Sequence, residues 1–154
     1  MSAVWTLLRR VRSEESGNAI VEFLAVTLVL LLPLVYLVLT LGRVQAAAFA
    51  AEAAARESGR VLSQAQELSE GLAQAHTAVA LAFDDHGIEV DPSTALGLVC
   101  SDDPCLSPGG QITVEVSAVV SLPLVPAFFD GVLPLEVPVR ATHLAAVPEF
   151  REVP

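Results

Sequence analysis

The chain has no lysine; all eight of its Lys/Arg positions are arginine. With alanine, leucine and valine dominating, this reads as a compositional bias of the source and carries no mechanistic weight. Positive charge is also scarce where most of the chain lies. Beyond residue 41 there are 15 of the 18 acidic residues but only five arginines: Arg43, Arg56, Arg60, Arg140 and Arg151. A region this acidic has no basic patch with which to displace phosphate counterions, which excludes a nucleic-acid partner. Cysteine is limited to Cys100 and Cys105. A zinc site takes about four ligands, and no second Cys or His pair stands at suitable spacing. A serine elbow, an HExxH and a glycine-rich phosphate loop are all missing. His76, His86 and His143 are scattered singles. Asp84-Asp85-His86 reads as a solvated helix end, and Asp102-Asp103 as an exposed loop. The residues therefore point to no enzyme, no cofactor, no metal and no small-molecule substrate.

Charge is missing altogether from Phe23 to Leu41, nineteen residues. At ~1.5 Å per residue these make a helix of about 28 Å, close to the hydrocarbon thickness of a bilayer. The mean hydropathy of +0.61 and the 53% hydrophobic composition exceed those of an ordinary soluble domain, and the excess sits in this run. Residues 18–41 are taken as a single membrane span in contact with lipid. Pro33 lies inside it and predicts a bend, because proline removes a backbone donor and crowds the preceding turn. Residues 1–17 form a leader in which Arg9, Arg10 and Arg12 stand against Glu14 and Glu15. Its apolar residues, Val4, Trp5, Leu7 and Leu8, precede the arginines, the reverse of a secretory signal peptide. The basic flank predicts a cytoplasmic N-terminus and an extracytoplasmic C-terminal part. Glu22 stands at the front edge of the span, where an acidic side chain is costly unless something pairs with it. It either sets register against a neighbour or snorkels at the interface of a plain anchor.

Residues 42–83 extend the helix. Val44 to Arg56 is alanine-rich, a strong helix former. Val61, Ala65, Leu68, Leu72, Ala75, Val79 and Phe83 then recur at spacings of three and four, one apolar stripe. The pattern predicts helix from about Ala19 to about Phe83, roughly 95 Å if unbroken, with Gly42, Gly59 and Gly71 as weak points. The stripe covers either a sheet or a coiled-coil partner. Asp84-Asp85-His86-Gly87 ends the helix on a C-cap glycine. Residues 84–147 read as a small β-rich exported domain. It has a short strand at Ile88–Val90, a turn at Asp91-Pro92-Ser93 and a strand at Leu96–Cys100. A clear strand follows from Ile112 to Ser121, and another spans Leu135–Thr142, placed at a sheet edge by Pro138. Leu122–Pro134 is a loop whose Phe128-Phe129 packs down, and 148–154 a loose tail. The fold class is α+β, a long N-terminal helix packed on a small antiparallel sheet. Its first half spans the membrane and its second half is amphipathic. In an exported loop the close pair Cys100 and Cys105 reads as a disulfide, with free thiols as the alternative.

A leader ending in Gly17, the run Asn18-Ala19-Ile20-Val21-Glu22-Phe23, a leucine-rich stretch holding Pro33, and then Gly42-Arg43 resemble the TadE-like minor pilins (pseudopilins) of tight-adherence (Flp) type IV pilus systems. The match covers residues 9–43; the C-terminal part carries no matching motif. The resemblance implies cleavage between Gly17 and Asn18 by an integral-membrane aspartyl prepilin peptidase, and a new, often N-methylated N-terminus. Asn18 departs from the small or aromatic residue usual after that cut. The resemblance also implies assembly with other pilin and minor-pilin subunits and the pilus assembly platform, at the cell membrane or in the pilus. Glu22 would then neutralise the amine of a neighbouring subunit. The alternative is an unprocessed, single-pass, membrane-anchored extracytoplasmic binding module.

Overall fold

The computed structural model describes residues 19–122 and 136–150. The fold is α+β, a long N-terminal helix with a small three-stranded antiparallel sheet. The chain divides into two compact units, residues 1–38 and 39–154.

The described part of the first unit is helix throughout. It begins α1, Ala19–Gln64, 46 residues, which carries through Pro33. None of the most apolar 18-residue stretch of α1 is buried. Ile20, Phe23 and Val29 are each about 70% exposed or more (75%, 69% and 70%). A bare apolar helix of this length and composition is a candidate membrane span: its backbone groups bond within the helix, so lipid need supply no partner.

In the second unit α1 changes character. Ala47, Ala50, Ala51, Ala54, Ala55, Ser58, Gly59 and Leu62 are buried, recurring at three and four. They form a face of small residues against which other backbones can lie close. The chain then reverses. Residues 65–67 separate α1 from α2, Leu68–Asp84. Ser58 Oγ donates to the Ala75 carbonyl (3.4 Å), and a Cβ built on Gly71 would lie 2.9 Å from Ala65 Cβ and 3.2 Å from Leu62 Cδ2. Arg43 donates to the Gly87 carbonyl at 2.9 Å. Partners 62 with 71, 58 with 75 and 43 with 87 make α1 and α2 an antiparallel hairpin. The expected unbroken helix from Ala19 to Phe83 is therefore corrected. Nothing at 64–67 is a strong helix breaker; packing of the small-residue face of α1 against Gly71 and Ala75 of α2 overrides local propensity.

α2 ends as expected at Gly87, which takes the left-handed conformation (φ 61) that glycine adopts without a Cβ clash. The Ile88 amide donates to the Phe83 carbonyl (3.0 Å) and the Gly87 amide to that of Asp84 (2.8 Å). Residues 88–90 are not a strand, and the expected turn at Asp91–Ser93 is the start of a one-turn helix, α3, Pro92–Ala95. Asp91 caps it, its carboxylate accepting from the Ser93 amide (2.9 Å) and hydroxyl (2.6 Å).

The strands are β1 (Leu96–Cys100), β2 (Gln111–Ser121) and β3 (Glu136–Ala146), in the order β1-β2-β3. β3 is an edge strand, as Pro138 required, and runs four residues past the expected Thr142. The overrun, His143-Leu144-Ala145-Ala146, breaks polar alternation because two of its residues are alanines. In register, Leu98, Val114 and His143 lie in one row and Leu96, Val116 and Ala141 in the next. Ile112, Val114, Val116, Ala118 and Val120 face inward and are buried. They join the alanine face of α1 and Ala75, Val79 and Phe83 of α2 in one core. The stripe on 61–83 thus contributes to packing on the sheet, although Leu68 is exposed. Phe128-Phe129 and residues 151–154 lie outside the described residues.

Candidate functional site

Glu22 sits in the first turn of α1 with its side chain exposed. First-turn N–H groups have no intrahelical acceptor and carry partial positive charge, so a carboxylate is favoured there. Phe23, Leu24 and Val26 beside it are all more than half exposed. Among the described residues the ion pairs are Glu52–Arg56, Glu57–Arg60 and Glu115–Arg140, none of which includes Glu22. Gly17 and Asn18 lie outside the described residues.

Where α1 enters the second unit, Arg43 reaches across to the end of α2. Its guanidinium donates to the His86 carbonyl at 3.5 Å and to that of Gly87 at 2.9 Å. These are carbonyls at the negative end of a helix that already carries Asp84 and Asp85, so the cation answers both. Sequence reasoning missed this role. The visible signal is an isolated arginine just after an apolar run, which fixes a charge but not its partner.

Cys100, the last residue of β1, is bonded to Cys105, with Cα atoms 5.2 Å apart. The alternative of free thiols is set aside, and no free cysteine remains. The loop is held further by the Ser101 amide donating to the Gln111 carbonyl (2.9 Å) and the Gln111 amide donating to Ser101 Oγ (2.8 Å).

An open groove of about 230 Å³ runs between α1 and β3, lined by Glu52, Arg56, Arg140, Thr142 and His143 among others. Its charges are already matched: Arg56 to Glu52 at 2.5 Å, and Arg140 to Glu115 at 2.8 Å. On the exposed face of α1, the Arg60 guanidinium hydrogen-bonded to Glu57 holds that carboxyl below its ordinary value. Ser93 does the same for Asp91 through its hydroxyl and amide. Among the described residues no group of three His, Cys, Asp or Glu gathers to hold a metal. The distinctive chemistry of the described residues is therefore a lone carboxylate on a bare apolar helix, joined to a packed α+β unit. No protein-family model matches the chain, and neither a curated protein nor a solved structure was found to be similar to it.

Proposed function

We propose that this chain is a minor pilin or pseudopilin-like membrane protein that serves in assembly of a tight-adherence (Flp) type IV pilus after a prepilin peptidase cuts between Gly17 and Asn18. The observation that carries the reading is the position of Glu22: an exposed acid in the first turn of an apolar helix that has no cation for it among the described residues. Cleavage after Gly17 would create an ammonium at Asn18, close to the depth of Glu22. In an assembly the carboxylate of one subunit then neutralises the amine of the next. Either charge left alone in a low-dielectric contact costs several kcal/mol, so misaligned packing is disfavoured more strongly than correct packing is favoured. The same reading sets the N-terminus in the cytoplasm, the sheet outside the cell, and a bend of the span near Pro33.

The test is the mature N-terminus. Expressed with its prepilin peptidase, the wild type should begin at Asn18. Gly17→Val should insert in the membrane yet keep its leader, because the protease must admit a residue without a side chain at that position. Retention of Met1 by the wild type overturns the reading and leaves an unprocessed anchored binding module.

A further inference from the structure

One side of the β3 backbone is left without a strand. The Val147 amide donates to the Gly110 carbonyl (2.9 Å) and the Gly109 amide to that of Val147 (3.3 Å), so residue 147 turns its groups towards β2. Gln111 spends its amide and carbonyl on Ser101, across the other side of β2. Gln111 stands opposite Ala146, and the two therefore exchange no hydrogen bonds. Backbone direction alternates along a strand, so residues 138, 140, 142, 144 and 146 turn their groups away from the sheet. Pro138, which has no N–H to lose, falls in this phase. The edge thus presents the N–H and C=O of Arg140, Thr142, Leu144 and Ala146, and the carbonyl of Pro138. Among the described residues none of these groups has a hydrogen-bond partner. The side chains of this phase are exposed, that of Leu144 included. Natural sheets guard such an edge with charge or proline. Here Pro138 and Arg140 guard one end, while the outward positions of 142–146 carry neither.

The open groove between α1 and β3 follows this edge, with Glu52, Ala55 and Arg56 as one wall and residues 140–143 as the other. Its lining holds two arginines against one glutamate, in a chain of net charge −10. Arg56 gives Nη2 to Glu52, and Arg140 gives Nε to Glu115. The other N–H groups of each guanidinium remain for an acceptor that arrives. We propose that the outer edge of β3 docks an extended acidic segment of another protein, which adds antiparallel as a fourth strand. Its backbone takes up the N–H and C=O groups of Arg140, Thr142 and Leu144. Its carboxylates meet Arg140 on the outer face of the sheet and Arg56 on the face towards α1. A second copy of this chain is the wrong occupant. Its β3, pairing antiparallel, would bring its own α1 to the same face of the sheet. Glu52, Ala55 and Arg56 of both copies would then claim one space. The inference lies wholly within the second unit and is independent of processing and of membrane insertion.

The probe is a fluorophore-labelled peptide, Thr-Val-Thr-Glu-Glu-Val-Thr, titrated with the detergent-solubilised full chain and followed by fluorescence anisotropy. The same peptide N-methylated on its third and fourth residues cannot pair along either edge. It should bind about tenfold more weakly, the worth of one or two hydrogen bonds. The peptide with glutamine for both glutamates should bind about two- to fivefold more weakly, as expected of exposed ion pairs. Arg56→Gln should erase part of that difference. Thr142→Pro removes the N–H at the middle of the edge, in the phase that Pro138 already occupies, so the ladder to β2 keeps its bonds. It should weaken the unmethylated probe about tenfold and leave the circular dichroism spectrum unchanged. Absence of binding, or equal binding of the methylated and unmethylated peptides, overturns the proposal. Equal binding of the glutamate and glutamine peptides overturns the acidic class of partner. A Thr142→Pro chain that binds the probe normally but loses self-association gives the edge to a second copy and overturns the proposal too.

Discussion

Replacing Gly59 by alanine tests the contact between α1 and the sheet. A Cβ at position 59 would lie 2.8 Å from His143 Cδ2 and 3.1 Å from Ala145 Cβ. Carbon atoms pack best at about 3.5–4.0 Å, so α1 and β3 must part by several tenths of an ångström or the His143 ring must turn. Overpacking of this kind costs about 1–3 kcal/mol. Alanine in mid-helix returns about 0.5–1 kcal/mol over glycine. The net expectation is a loss of about 1–2 kcal/mol, a fall in unfolding temperature of about 3–12 °C for a unit of this size. Gly42 serves as the control, since a Cβ there meets nothing within 4 Å. Gly42→Ala should therefore stabilise by about 0.5–1 kcal/mol. His143→Ala in the Gly59→Ala background removes the tighter contact and leaves that to Ala145, so the double variant should show a coupling of about 1 kcal/mol. Thermal unfolding of the detergent-solubilised chain, followed by circular dichroism, measures the wild type, the double variant and the single variants Gly59→Ala, Gly42→Ala and His143→Ala. Gly59→Ala as stable as the wild type, or a coupling of zero, would refute the packing argument.

Reducing the Cys100–Cys105 bond, which closes a short loop, should cost about 2 kcal/mol, and thiol labelling of the unreduced protein should find no reactive cysteine. Two reactive thiols would contradict the bond. Asp91 and Glu57 both have carboxyls held below their ordinary values by hydrogen bonds. The stability they add is present above the unfolded carboxylate range, near pH 4, and drains away as pH falls through their folded values. Urea midpoints should drop between pH 5 and pH 3, and Asp91→Asn should flatten part of that slope; an unchanged slope would remove Asp91 from the account. Glu22→Gln should give a processed, membrane-resident protein that no longer supports piliation or co-purifies with pilin partners, at a cost of about 3–5 kcal/mol for an unpaired buried amine. Normal piliation by this variant would make Glu22 an ordinary interfacial residue.

Alternation located β2 almost to the residue, because one face of that strand is core and the other is solvent. The helical stripe located the buried side of α2 for the same reason. The reversal at 65–67 was invisible because the buried positions stay in phase across it: 58 and 62 of α1, 65 in the turn, then 75, 79 and 83 of α2 read equally well on one long helix. Its only trace is Gly71, which lets Leu62 and Ala65 lie close. The alanine face of α1 was visible as composition but not as core, since alanine is as much a helix former as a packing surface. The short α3 escaped because Asp91-Pro92-Ser93 serves a turn and a helix start equally well. Of the candidate site, the position of Glu22 followed from sequence. The partners of Arg43 did not, since the carbonyls of His86 and Gly87 lie 43 and 44 residues away.

The hairpin also decides how the molecule meets mechanical load. α1 enters the second unit at Leu39, one turn before Arg43, and the backbone leaves α2 near Gly87, so entry and exit are the two arms of the same open end. Tension applied to the backbone at these two arms therefore peels the hairpin from that end and does not shear it along its length. Peeling loads contacts one after another, and the first in line are the two hydrogen bonds from Arg43. Arg43 is thus the first tie of the hairpin that such tension reaches, ahead of the buried contacts further along it.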